Sequence, residues 1–187
     1  VDSTAATNQT ACAPGSYQTY TGQNSCDDAD AGYYVDGTAQ TNQTACAVGT
    51  YQGSTGQASC DDADAGHYVD TTAQSLQTEC DFGTYQASTG QASCDDADAG
   101  YFVDVEGSST QTECAVGTYQ DSMAQSSCDN ADSGYYVDTT ASSSQSQCGL
   151  GTYQESTGQA SCDHADAGHY VDGTAQSTQT ECAVGTY

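Results

Sequence analysis

Apolar side chains are sparse along this chain, and those present fall on a fixed grid. Glycine stands at positions 15, 32, 49, 66, 83, 100, 117, 134, 151, 168 and 185. Two residues after each comes a tyrosine, with Phe102 the one departure. The spacing is 17 residues throughout, so the chain of 187 residues is a run of short equivalent rungs. A glycine followed at i+2 by an aromatic fits a turn with positive φ or close backbone approach, and the ring is then expected to lie over the neighbouring rung as core. Thr-Gly-Gln or Thr-Ala-Gln at the far side of the rung reads as the opposite turn. Between the turns, stretches such as Gly49-Thr50-Tyr51-Gln52 and Tyr68-Val69-Asp70-Thr71 carry the Tyr, Val and Thr content of strands. They predict short, irregular hairpins and little helix.

Cysteines superimpose a second period. They occupy positions 12, 26, 46, 60, 80, 94, 114, 128, 148, 162 and 182, at intervals alternating between 14 and 20, so two rungs make one unit of 34 residues. The units are a partial repeat at 1–11, repeats at 12–45, 46–79, 80–113, 114–147 and 148–181, and the start of another at 182–187. Chain entropy does not choose between pairing across 14 and across 20, since loops of either length stabilise by ~3 kcal/mol. The 17-residue register does choose. Ala63 and Gln77 stand in one rung where Cys46 and Cys60 stand in the rung before, and two cysteines lost together imply two cysteines bonded together. The expected pairs are Cys12–Cys26, Cys46–Cys60, Cys80–Cys94, Cys114–Cys128 and Cys148–Cys162. Cys182 is left over, its partner expected beyond Tyr187, which reads as an excerpt from a longer array without a capping repeat.

Composition narrows what such an array can be. Hydrophobic residues make up 35%, there is no Trp, and Leu76 and Leu150 are the only leucines, so one large core is excluded. A thin core of Tyr rings, Val and cystines is expected, stapled because it is small. With no Cys-x-x-Cys pair, eleven cysteines point to an oxidising, extracellular compartment. Asn8-Gln9-Thr10 and Asn42-Gln43-Thr44 are N-glycosylation sequons on the same secretory route, and the many Ser and Thr residues are candidates for O-linked glycans. Low hydrophobicity with high net charge also marks disordered chains. The cysteine grid and the Gly-x-Tyr ladder argue against that reading.

Lys and Arg are absent against 26 Asp and Glu, a formal charge of −26. No side chain is available to bind nucleic acid or an anionic membrane. No apolar run reaches the ~20 residues of a membrane helix, and no signal peptide opens the chain at Val1, so one is expected upstream or removed. Each second cysteine is followed by an acidic run such as Cys60-Asp61-Asp62-Ala63-Asp64-Ala65-Gly66. Asp27, Asp30, Asp61, Asp64, Asp95, Asp98, Asp129, Asp132, Asp163 and Asp166 are therefore candidate calcium ligands. A helix–loop–helix type of calcium loop needs oxygen donors where Ala29 and Ala31 sit, and Asp28 becomes Asn130 and His164 in later copies. The alternative is that these Asp residues cap turns through the backbone and solvate the surface. No metal, cofactor or catalytic site is assigned. His67 and His169 replace Tyr33, Tyr101 and Tyr135 and are read as exchangeable flat rings, and no Ser/His/Asp set breaks the repeat as an active site would.

Cys-x-x-Gly-Thr-Tyr-Gln-x-Ser-Thr-Gly-Gln-x-Ser-Cys, followed by Ala-Gly-Tyr-Tyr-Val, resembles the ephrin-receptor-like cysteine-rich repeats of the EGF-like superfamily, and more remotely the one-disulfide module of tumour-necrosis-factor receptors. The resemblance implies extended stalks in surface and matrix proteins, including hair-like filaments of flagella in algae and related protists. It implies no catalytic residues. The chain departs from the family at Ala63 and Gln77, where a second disulfide usually sits, so the unstapled rungs are expected to rely on packing against stapled neighbours. The predicted architecture is a mainly β or irregular, disulfide-rich rod of 17-residue hairpin rungs. At two strands of ~4.8 Å per rung it would run to about 100 Å, against a radius of gyration of ~16 Å for a compact domain of this length.

Two functions follow from that architecture. Near-identical rungs suit an extracellular filament or appendage built by self-association or with homologous chains. A stalk or ligand-binding ectodomain of an adhesin or receptor would instead want one irregular copy, for which Val105-Glu106-Gly107-Ser108 and Met123 are the candidates.

Overall fold

Ten antiparallel hairpins, each made of two strands of two residues, follow one another through residues 9–185, the part of the chain described by this computed structural model. No helix occurs among the described residues. In the first hairpin Ser16 and Tyr17 face Asp28 and Asp27, in the second Tyr33 and Tyr34 face Ala45 and Thr44, and in the third Thr50 and Tyr51 face Asp62 and Asp61. The same register recurs through His169–Tyr170 against Thr180–Glu181. The chain divides into two compact units, one built from residues up to Glu79 together with Gln86–Cys94, the other from Cys80–Tyr85 together with residues from Asp95 on.

Both turns of the rung are set by backbone conformation. At the entry turn the Thr118 N–H donates to the Ala115 carbonyl at 3.0 Å, with Gly117 at φ 86° between them. Positive φ at the third residue of a four-residue turn is the signature of a type II turn, which glycine fills without strain. At the far turn the left-handed residue is Gly22, Gly56, Gly90, Gly107 or Gly158 in some rungs. In others it is Ala39, Ala73, Ala124, Ala141 or Ala175, with φ of 55–61°. Alanine tolerates that conformation at a cost of roughly 1–2 kcal/mol, so something else must hold it there.

Hydrogen bonds to other rungs hold it. In the first unit the Gly49 N–H donates to the Val69 carbonyl (2.8 Å), the Gln52 N–H to Gln74 (3.1 Å), and the far-turn Ala73 N–H back to Cys46 (2.9 Å). In the second unit Gly117 donates to Val137 (2.8 Å), Gln120 to Ser142 (3.1 Å) and Ala141 to Cys114 (2.9 Å), the same bonds in the same order. Two-residue strands are too short to be stable as isolated hairpins. Here their backbone groups are paired because each rung completes the next. The stacking reaches beyond the neighbouring rung: a Cβ built on Gly117 would meet the carbonyl of Gly158, 41 residues on, and stand 2.9 Å from its carbon.

The buried residues form two columns. Three residues before each entry glycine lies Cys46, Cys80, Cys114 or Cys148, alternating with Ala29, Ala63, Ala97 or Ala131, all buried. Three residues after it lies Val35, Val69, Val103, Val137 or Val171, alternating with Gln52, Gln86, Gln120 or Gln154, again buried. The tyrosines expected to fill the core are only half-buried from Tyr34 to Tyr153, and Tyr170 is exposed. The interior is too narrow for rings: Ala, half-cystine, Val and the flexible chain of Gln fit where backbones stack this closely, and the Tyr rings lie on the flank.

Gly117→Ala is expected to lower the stability of the chain by about 2 kcal/mol or more, because alanine at positive φ is strained and its Cβ collides with the Gly158 backbone. Ala141→Gly at the far turn should be neutral or raise stability. Urea unfolding of the two variants beside the parent chain reads both effects, and equal losses would contradict this account of the two turns.

Candidate functional site

Two ways of closing a hairpin alternate along the chain, and both converge on the acidic runs. In the stapled rungs a disulfide joins Cys12 to Cys26, Cys46 to Cys60, Cys114 to Cys128 and Cys148 to Cys162, each with Cα atoms 5.7–5.8 Å apart. Cys80 and Cys94 are disulfide-bonded as well. Above the staple a buried glutamine holds the loop. The Gln52 amide donates to the Ser59 carbonyl (3.0 Å) and the Asp61 carboxylate (3.3 Å), and its oxygen accepts from the Ser54 N–H (3.0 Å). Gln154 makes the same three bonds to Ser161, Asp163 and Ser156.

In the rungs without cysteine, glutamine takes the place of the second half-cystine. Gln77 accepts the Asp64 N–H through Oε1 at 2.6 Å and donates from Nε2 to Asp64 Oδ2 at 2.7 Å. Gln43 with Asp30, Gln111 with Asp98, Gln145 with Asp132 and Gln179 with Asp166 repeat this two-point clamp at 2.6–2.8 Å. Besides the expected packing against stapled neighbours, these rungs have a closure of their own: Gln77 and Asp64, beside Ala63, cross the same gap that Cys46–Cys60 crosses one rung earlier. The signal was present, since Gln recurs at 43, 77, 111, 145 and 179 wherever cysteine does not.

The clamps show where the candidate calcium ligands go. Asp30, Asp64, Asp98, Asp132 and Asp166 each spend one carboxylate oxygen on the glutamine of their own rung. Asp27, Asp61 and Asp163 lie in exposed strands, and each accepts from a loop glutamine. Asp95 and Asp129 occupy the same strand position in their hairpins. No group of three His, Cys, Asp or Glu side chains that could hold a metal occurs among the described residues.

Histidine and tyrosine sit on the flank of the hairpins. His67 faces Glu79 across its strand pair with Nε2 3.8 Å from the carboxylate, and His169 faces Glu181, its Nδ1 buried without a hydrogen-bond partner. Partial burial, followed by the charges of Asp132, Asp129 and Asp121, pushes the Tyr119 phenol above its ordinary 10.0. Burial followed by Asp166, Glu155 and Asp163 does the same to Tyr153. Asn42 is exposed and Asn8 lies outside the described residues. Cys182 is a free, half-buried thiol.

A regular succession of disulfides on equivalent hairpins decides the class of the molecule. This is a cysteine-rich tandem-repeat protein. Residues 100–148 match the family model described as tyrosine-protein kinase ephrin type A/B receptor-like. No curated protein matches the chain. The matched stretch spans the hairpins that begin at Tyr101–Phe102, Thr118–Tyr119 and Tyr135–Tyr136, and so contains both kinds of closure. No helix among the described residues is long and apolar enough to cross a membrane.

Two outcomes are expected from these closures. Gln111→Ala removes two hydrogen bonds and leaves the Asp98 N–H without its acceptor, which should cost about 1–2 kcal/mol by urea unfolding. Ala97→Cys with Gln111→Cys should instead form a disulfide and leave no added free thiol in a thiol assay of the denatured chain; two added thiols would show that the two closures are not equivalent. The second outcome concerns alkali. The folded chain holds the Tyr119 and Tyr153 protons more tightly than the unfolded chain, so the stability this supplies is present below about pH 10 and lost as pH rises through the folded values. The urea midpoint should fall above about pH 10, and less steeply in Tyr119→Phe; an unchanged slope would contradict the assignment.

Proposed function

We propose that the chain is a structural component of an extracellular filament or surface appendage, acting through its repeat surface and not as an enzyme. The observation that carries this reading is the recurrence of one set of bonds in rung after rung. Entry glycine to Val or Gln, far turn to Cys or Ala, and cystine alternating with Gln–Asp clamp follow in the same order through each unit. A surface that repeats at a fixed interval suits polymerisation and the display of glycans on side chains such as Asn42, and suits the discrimination of one ligand poorly. The disulfides and the ephrin-receptor-like match support an extracellular repeat protein. The carboxylates supply solubility, and the proposal gives them no resident metal.

A second reading, the stalk or ligand-binding ectodomain of an adhesin or receptor, draws on one irregularity. Around Val105-Glu106-Gly107-Ser108 the far turn keeps its bond, Gly107 N–H to the Cys80 carbonyl at 2.8 Å. Its outer face is altered, leaving Val105 exposed, and Met123 at the far turn of the following rung is exposed as well. A copy that keeps the backbone and changes the surface is what a binding site would look like.

Negative-stain microscopy of the native material separates the two. Long uniform filaments are the result expected for the structural role. Isolated particles of single-chain size under the same conditions would favour the ectodomain.

A further inference from the structure

The entry turns of the stapled rungs in the second unit carry a feature that neither the hairpin nor its closure uses. The residue just before the glycine is Phe82, Val116 or Leu150 in the second unit, and these side chains are 56%, 44% and 70% exposed. At the equivalent corner of the unstapled rungs stand Ala99 and Ser133. The second residue of a type II turn accepts most side chains and has no need of a bulky apolar one. The buried columns lie three residues to either side of the glycine, so these corners stand outside them. In the second unit a large apolar group is thus held out to solvent at each 34-residue step of a chain that is otherwise strongly polar.

Charge selects the occupant. With 26 Asp and Glu and no Lys or Arg, a second copy would bring carboxylates to carboxylates. Three residues after Val116 the phenol of Tyr119 lies in the field of Asp132, Asp129 and Asp121, and three after Leu150 that of Tyr153 lies in the field of Asp166, Glu155 and Asp163. Exposed apolar corners on a chain whose charged groups are all carboxylates are complementary to a chain that alternates apolar with cationic side chains. We infer that the corners Phe82, Val116 and Leu150 form a docking row for a basic polypeptide segment in which Lys or Arg alternates with apolar residues. The inference goes beyond the filament reading and does not require that the chain polymerise.

The test uses the whole chain and two synthetic peptides of equal length and charge, one alternating Leu and Lys, the other Ser and Lys, in ~0.15 M salt, where exposed charges beyond about 8 Å are screened. The chain should bind the Leu–Lys peptide at least about tenfold more tightly, from burial of the corner side chains. Phe82→Ala, Val116→Ala and Leu150→Ala together should bring the two peptides to near-equal affinity with the thermal midpoint unchanged, since the unstapled rungs already carry Ala there. Equal affinity of the parent chain for both peptides would overturn the proposal, showing only a polyanion. A preference retained by the triple variant would overturn it too. Sedimentation that finds the parent chain self-associated and the triple variant monomeric would assign the row to a second copy and overturn the basic partner.

Discussion

Backbone hydrogen bonds between rungs carry this fold. The interior is filled only by alanine, half-cystine, valine and glutamine side chains, so burial of apolar area supplies little per rung, and strands of two residues do not persist alone. The donors and acceptors of one rung are satisfied by residues 20 to 27 positions away: Gly15 by Val35, Val35 by Gln57, and Ala39 by Cys12. Leaving such groups unpaired in a closely stacked interior costs roughly 1–3 kcal/mol each. That penalty holds five alanines in a conformation they would otherwise avoid.

Alternation follows from the same narrow interior. A rung must close its hairpin and must also fill the second column. Stapled rungs close by cystine and fill with glutamine, whose amide is spent on its own loop. Unstapled rungs close by the Gln–Asp clamp and fill with valine. The glutamine has thus moved from loop to closure. A disulfide across such a loop stabilises by about 3 kcal/mol, while two hydrogen bonds contribute about 1–3 kcal/mol, so the array is stapled where closure is strongest and bridged by polar contacts between.

Much of this was legible in the residues because backbone constraints leave sharp marks. The 17-residue grid of Gly and Tyr located every entry turn, and Thr-Gly-Gln or Thr-Ala-Gln marked the left-handed far turn. Ala63 and Gln77, missing as cysteines, identified the alternating closure. What escaped was the side-chain economy. In the sequence Gln77 shows only as a missing cysteine because glutamine has no fixed structural role, and its partner Asp64 is one of an acidic run that suggests cation ligands. The hydrophobic area of Tyr points to the core, although the separation of stacked backbones decides which side chains fit. That limit lies in the approach of the Gly158 carbonyl to Gly117, 41 residues apart, which no local pattern records.

A protein built this way offers its surroundings a repeated surface whose backbone is spent inside, so its interactions belong to side chains at fixed intervals. That account stands on the bonds between rungs, and amide hydrogen exchange reads them most directly. The account predicts slow exchange at the N–H groups of the entry glycines, the Val or Gln three residues on, and the far-turn Gly or Ala, with a 17-residue period through both units. Protection confined to the strand pairs of each hairpin, with fast exchange at Gly49, Val69 and Ala73, would contradict it.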